Sequence, residues 1–552
     1  MKKTVVFLLM LCLVLPLASC TTNTESPTAS PTPANARIEK TVVQNQADNY
    51  QPIREIGAFN QDIITLELLS ACTLGEVDKA ALPYWNGYIL ENKISVNFES
   101  ENWWNEYTPG PYYFLEDEIK YLNENGFNCA RVLYSLSFLG NPSNPDEINV
   151  SQLEQLDELI AWGAKYNIHI MLSITGVPNK WNTSWEEEGV QSNDIIFTDG
   201  KIQALFTAYW DLLAKRYAKI PSGLLSFELL AEPAIPNGDL QQYCDVLSPV
   251  TQRIWSHNPN RIVIANDAWK QVPEQLASLG CCLSYHSHIY TLDKRTLEGF
   301  GIPYESVWPM QYLPMSYSPD SGKLVLECEN SLKKGILHVY YGYVGTTMNV
   351  SADGQTLLSP EPYQSEEMIF KTSCILPQGT KKLTFTPSDW GSLMAISIEQ
   401  EDAQVITIPT HNLYGPDHGF EPFPTIMIHD DGTLENMDHP PHLLNSAYIL
   451  EKQLKPYIDC AKRNHVSFIM TEVGTDTLEL SPTEYVEYHE MWLGALKENN
   501  IGWMYNCVHN ALAPKNLMWL NDESSKFTQF SNTDIPNYQV NDVIMDMLKR
   551  YQ

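Results

Sequence analysis

From about Leu82 onward, apart from one long interruption, short apolar runs alternate with longer amphipathic ones. This rhythm constrains the fold more than any other feature. Apolar runs too short for helices, recurring between helical segments, pair as parallel strands covered on both faces. The strand candidates are Asn86 to Leu90, Cys129 to Tyr134, His169 to Ile174, Leu224 to Leu230, Arg261 to Ala265, Cys281 to His286, Ser467 to Thr471 and Gly502 to Asn506. Eight of them predict an α/β fold, a (β/α)8 TIM barrel, which takes about 250 residues. Helical patterns fill the spaces: Asp117 to Leu122 before Gly126, a run from Ser151 whose Ser151 and Glu154 read as a capping box, and Lys201 to Tyr217.

The interruption, 305–408, has a different texture. Runs such as Lys323 to Cys328, Ile336 to Tyr341, Met348 to Ala352, Met368 to Lys371 and Lys382 to Phe385 are strand-like, and Asp353-Gly354 is a hairpin turn signal. A β-sandwich inserted between barrel strands six and seven is predicted, carbohydrate-binding-like in kind, with barrel on either side at 81–304 and 409–552. Trp390 and the insert's tyrosines are candidates for sugar stacking, although core packing is the commoner role. Residues 38–80 form an extension without a legible motif.

The first residues read as an export signal: Met1-Lys2-Lys3, an apolar stretch from Thr4 to Leu17, then Ala18-Ser19-Cys20. The expectation is a lipoprotein signal peptide over 1–20, with lipidation at Cys20. A Ser/Thr/Pro-rich tether follows over 21–37, and the protein is held at the cell membrane or envelope. The apolar stretch falls short of the roughly 20 residues of a spanning helix. With 35 basic and 67 acidic residues, the formal charge of −32 argues against nucleic acid as a partner and suits a neutral polysaccharide or oligosaccharide. The cysteines lack metal-ligand spacing and read mainly as buried thiols, and no residue cluster suggests a metal or organic cofactor. Oligomeric state has no readable signal.

Two carboxylates stand out. Glu232 follows the fourth apolar run and is stiffened by Pro233; Glu472 lies at the end of the seventh, before Gly474. Barrel enzymes carry catalytic groups at strand C-termini, and a pair of acids there suits glycosidic cleavage.

Phe227 to Pro233, Thr471 to Gly474, Gly126 to Val132, His288-Ile289-Tyr290 and Leu82 to Tyr88 together resemble glycoside hydrolase family 5, from about 82 to 300 and again from about 410 to 520. The resemblance implies a retaining hydrolase of the cellulase or β-glucanase class. It would cleave β-linked glucan-type or related chains by double displacement, with Glu232 as general acid/base and Glu472 as nucleophile. Arg131, His288, Tyr290 and Tyr505 would be substrate-binding or supporting residues. Arg131 would hold the nucleophile charged, Tyr290 would donate to it, and Tyr505 would be the platform under the sugar; His286 rivals His288, and Trp503 rivals Tyr505. Two positions depart from the family: Ala231 stands where an Asn contacts the sugar 2-hydroxyl, and Thr175 where a subsite His is usual. A second reading therefore stays open, a surface glycan-binding lipoprotein with weak or no hydrolysis on the same fold.

Overall fold

The computed structural model describes residues 49–90, 116–176, 195–288, 310–411, 422–505 and 542–552, with short breaks inside these stretches. The export signal, Cys20, the tether, Tyr290 and Trp390 lie outside the described residues.

The predicted barrel is present and closed. Its strands are β1 (Asn86–Leu90), β2 (Cys129–Ser135), β3 (His169–Gly176), β4 (Leu225–Glu228), β5 (Ile262–Ala265), β6 (Cys282–His288), β7 (Phe468–Gly474) and β8 (Trp503–Tyr505), each hydrogen-bonded to its neighbours and β8 to β1. Helices alternate with them: α1 (Glu116–Glu124), α2 (Val150–Tyr166), α3 (Gly200–Arg216), α4 (Leu240–His257), α5 (Glu274–Leu279), α6 (Lys455–Arg463), α7 (Pro482–Glu498) and α8 (Asp542–Arg550). Helix α2 does not start at Ser151. Asn149 caps it, its side chain accepting from the amides of Ser151 and Gln152, and the helix ends on left-handed Asn167, φ 52°.

Side chains alternate across each strand, and this sorts the residues into two layers. One set, including Ile89, Cys129, Met171, Ile264, Cys282, Ile469 and Met504, packs in the lumen. The other, including Tyr88, Val132, Leu172, Phe227, Leu283, Met470 and Tyr505, belongs to the main core with the helices. Residues of the N-terminal extension line the lower end of the barrel: the Gly223 amide donates to the Gly75 carbonyl at 2.8 Å and the Ser467 amide to that of Lys79 at 2.7 Å.

Among the described residues, most strands of the interrupting segment lie in two six-stranded sheets. One contains Gly335–Gly342, Ile369–Leu376, Gly391–Gln400 and Ile406–His411; the other contains Leu324–Cys328, Met348–Ala352 and Lys382–Pro387. Leu326, Leu337, Val339, Val350, Phe385, Ile396 and Ile408 form a core of their own. Asp353 and Gly354 both take positive φ, 47° and 85°, as the hairpin between Met348–Ala352 and Gln355–Leu358 requires. The strand set does not stop at 408. Thr425–Ile428 pairs in parallel with Leu324–Cys328, and Leu434–Asn436 adds outside it. Tyr340 and Ala395 are buried in the main core cluster, which ties one sheet to the barrel.

Candidate active site

The C-terminal end of the lumen is polar, and among the described residues the polar side chains named below come from strands or the residues just after them. Arg131 on β2 is fully buried. Its Nε donates to Glu228 Oε2 at 2.6 Å and its Nη1 to Glu472 Oε1 at 2.5 Å. Burial alone would lower the arginine's pKa, but the two carboxylates reverse this and raise it, so the guanidinium is charged.

Glu472 reaches this point through a bulge. Ile469 packs in the lumen and Met470 in the outer core, so simple alternation would turn Glu472 toward the helices. Instead the register of β7 shifts between Met470 and Glu472, and Glu472 pairs with His286. The extra residue re-aims the carboxylate into the lumen, a common use of bulges beside reactive sites. Its side chain is 3% exposed.

Glu232 has a contrasting setting. It lies beyond the end of β4 in a left-handed conformation, φ 46°, unusual for a residue with a side chain. Its side chain is 38% exposed, with Oε1 3.8 Å from His286 Nε2. The other ring nitrogen, Nδ1, faces Asp267 Oδ1 at 2.7 Å and Asn266 Oδ1 at 3.0 Å. Both are acceptors, so Nδ1 is the donor in these contacts, and Nε2 is the ring nitrogen turned to Glu232.

The structure places Arg131 on Glu472 and His286 beside Glu232; the side chain of His288 lies outside the described residues. The backbone of His288 ends β6 in register with Gly474. Tyr505 requires correction. It is fully buried on the helix-facing side of β8, with ring centroids 5.7 Å from Tyr88 and 5.5 Å from His489. Met504 takes the lumen position, so alternation excludes Tyr505 as a platform under a sugar. Trp503 is buried on the same side, its Nε1 donating to Tyr84 Oη at 2.9 Å. Sequence reasoning missed Glu228, Asn266, Asp267 and Ser284. Their only signal was a polar residue at an inward position of an apolar strand or just beyond its end.

Ala231 is buried with the lumen residues, and its amide donates to the Ile174 carbonyl at 2.7 Å. Its methyl can offer a sugar no hydrogen bond. Among the described residues no group of side chains is arranged to hold a metal ion.

An eight-stranded parallel barrel that gathers an arginine, a buried carboxylate and a half-open one at its strand C-termini belongs to the class of barrels built for acid–base chemistry at that face. Residues 90–294 match the cellulase family, glycosyl hydrolase family 5, so this part of the chain is a domain of that type. The match takes in Arg131, Glu228, Glu232 and His286 and ends before the sandwich and Glu472. The chain is 23% identical over 160 residues to a probable glucan 1,3-beta-glucosidase A of Emericella nidulans, covering 29% of this chain and 39% of that protein. It is also 23% identical over 148 residues to endoglucanase C of Acetivibrio thermocellus, covering 26% and 41%. The chain thus spans about two fifths of the length of these curated relatives. Similar solved structures include a glycoside hydrolase at TM-score 0.45 and 12% identity, covering 85% of this chain and 99% of that one. Another is endoglucanase Cel5A of Thermotoga maritima at TM-score 0.42 and 12% identity, covering 85% and 98%.

Proposed function

We propose that the protein is a retaining glycoside hydrolase acting on β-linked glucan-type polysaccharides or oligosaccharides, with Glu472 as nucleophile and Glu232 as general acid/base. The observation that carries this reading is the unlike setting of two carboxylates at one end of the lumen. Glu472 is buried and ion-paired to Arg131, which favours the carboxylate form that attacks an anomeric carbon. Glu232 is partly open to solvent beside His286, so it is placed to exchange a proton with a leaving oxygen or an incoming water. In a double displacement the first step protonates the leaving oxygen from Glu232 while Glu472 forms the glycosyl ester. In the second, Glu232 takes a proton from water as water releases the sugar, with the carboxyl groups about 5 to 5.5 Å apart in retaining enzymes.

The names of the relatives, a glucan glucosidase and an endoglucanase, support glucan-type substrates. Ala231 implies that the sugar bonded to Glu472 is held without a side-chain hydrogen bond from that position. Incubation with 2-deoxy-2-fluoro β-glycosides of gluco and manno configuration, followed by mass spectrometry, tests the reading: one glycosyl adduct on Glu472 is expected. Glycan binding without an adduct from any of them would replace it with the binding-protein reading. Export and lipid anchoring through Cys20 belong to the same proposal, tested by [3H]palmitate labelling of wild type and Cys20→Ala in a bacterial host.

A further inference from the structure

Glu228 is a second fully buried carboxylate in the lumen, and double displacement at Glu472 does not use it. Three donors hold it: Arg131 Nε at 2.6 Å on Oε2, Asn266 Nδ2 at 2.8 Å and Ser284 Oγ at 3.2 Å on Oε1. Arg131 in turn rests on Glu228 and Glu472, and its Nη2 has no partner among the described residues. One guanidinium is therefore divided between two carboxylates, and only one of them is in a position to react. Asn266 extends the arrangement, since its Oδ1 faces His286 Nδ1 at 3.0 Å and its Nδ2 is 3.4 Å from Thr471 Oγ1, beside Glu472 in β7.

A buried ion pair is often structural and no more. Here the sharing has a chemical consequence. A guanidinium given wholly to Glu472 would stabilise the carboxylate so strongly that its nucleophilicity and its readiness to leave would both fall. A fixed second anion weakens that pull while keeping the guanidinium oriented. We propose that Glu228 is a positioning residue for the nucleophile: by sharing Arg131 with Glu472 it fixes the guanidinium and sets the pH at which Glu472 becomes reactive. This rests on Glu472 being the nucleophile. The titratable groups around the pair, among the described residues, are Arg131 and Cys129 from β2, Glu232 beyond β4, Tyr243 from α4, Asp267 beyond β5 and His286 from β6.

The sign is opposite to that of a lost general support. In Glu228→Gln the shape and the Nε contact are kept and the negative charge is removed, so Arg131 acts undivided on Glu472. The acid limb of the pH profile should then move to lower pH by roughly one unit. The rate of trapping by a 2-fluoro β-glycoside reads this limb directly, because only the first step is observed. Glu228→Asp restores the charge and should return the limb toward the wild-type position even if the variant melts earlier. Should Glu228→Gln not fold, Ser284→Ala takes its place: stripping one donor from Glu228 concentrates its charge on Arg131 and should move the limb a few tenths of a unit the other way. A limb unmoved in the folded charge-removing variant, or unmoved in Ser284→Ala where that is the variant used, overturns the role of Glu228 while leaving the hydrolase reading intact. Absence of any wild-type adduct sinks both.

Discussion

The two ends of the barrel bury comparable polar groups and treat charge in opposite ways. At the N-terminal end His169 is stacked on Trp85, ring centroids 3.7 Å apart, with its nitrogens satisfied by the Gly223 carbonyl at 2.8 Å and Ser226 Oγ at 2.7 Å. Burial pushes its pKa down to about 3, so the ring is neutral. Arg261 nearby donates to the carbonyls of Leu225, Tyr217 and Ile220, and burial lowers its pKa to about 10. At the C-terminal end Arg131 is just as buried but meets two carboxylates, which raise its pKa instead. Burial alone makes a scaffold. Burial with opposite charge, next to the half-exposed Glu232, makes a place where charge can change hands.

The widest separation of the two ends comes from removing Glu472. Glu472→Gln should lower kcat by at least about 10⁴-fold and abolish adduct formation, because no other described carboxylate is set to attack. It also leaves Arg131 with Glu228 alone, so some loss of thermal stability is expected. A variant retaining more than about a hundredth of wild-type activity would show that the upper end works some other way.

Glu232→Ala should have the next largest effect, and one that depends on the leaving group. Substrates with a poor leaving group should lose about 10² to 10⁴-fold, the usual worth of a positioned acid, while activated aryl glycosides should lose far less in the first step. Azide should then rescue turnover by entering the space vacated by the side chain and yielding a β-glycosyl azide. An α-azide product would contradict retention. Asp267→Asn is milder, about tenfold in kcat, because it loosens His286 without removing either carboxylate; a wild-type rate would assign Asp267 to packing.

The barrel was largely legible, since the β/α rhythm and the strand-end position of acids both follow from burial and strand geometry. Glu232 and Glu472 came from that logic, and Arg131 from the resemblance. Tyr505 failed because resemblance outweighed the period of two: with Met504 in the lumen, its neighbour has to face the helices. Glu228 could have been found, since an acid at an inward position of an otherwise apolar strand needs a buried cation. The bulge that turns Glu472 inward has no sequence signature, as it is set by pairing with β6 and β8. The sandwich boundary failed for a related reason. Thr425–Ile428 is a four-residue run whose partner lies far back in the chain, and local pattern does not report parallel pairing.

The smallest effect tests the lower end, and its sign can be worked out. His169 has a folded pKa of about 3 against an ordinary value of 6.5. Between those values the unfolded chain binds a proton that the folded chain refuses, so stability falls as pH falls through this window and is unaffected by this group above it. From pH 7 to pH 5 the loss assigned to this one ring is about 2 kcal/mol. His169→Gln removes the titration while offering similar hydrogen bonds. Urea unfolding of wild type and variant at both pH values should therefore show a shallower fall in the variant, with the acid limb of the trapping rate unchanged. An equal fall in both proteins would mean that the ring is not held neutral. A shifted limb would mean that the two ends communicate, and the separation between scaffold and site would have to be given up.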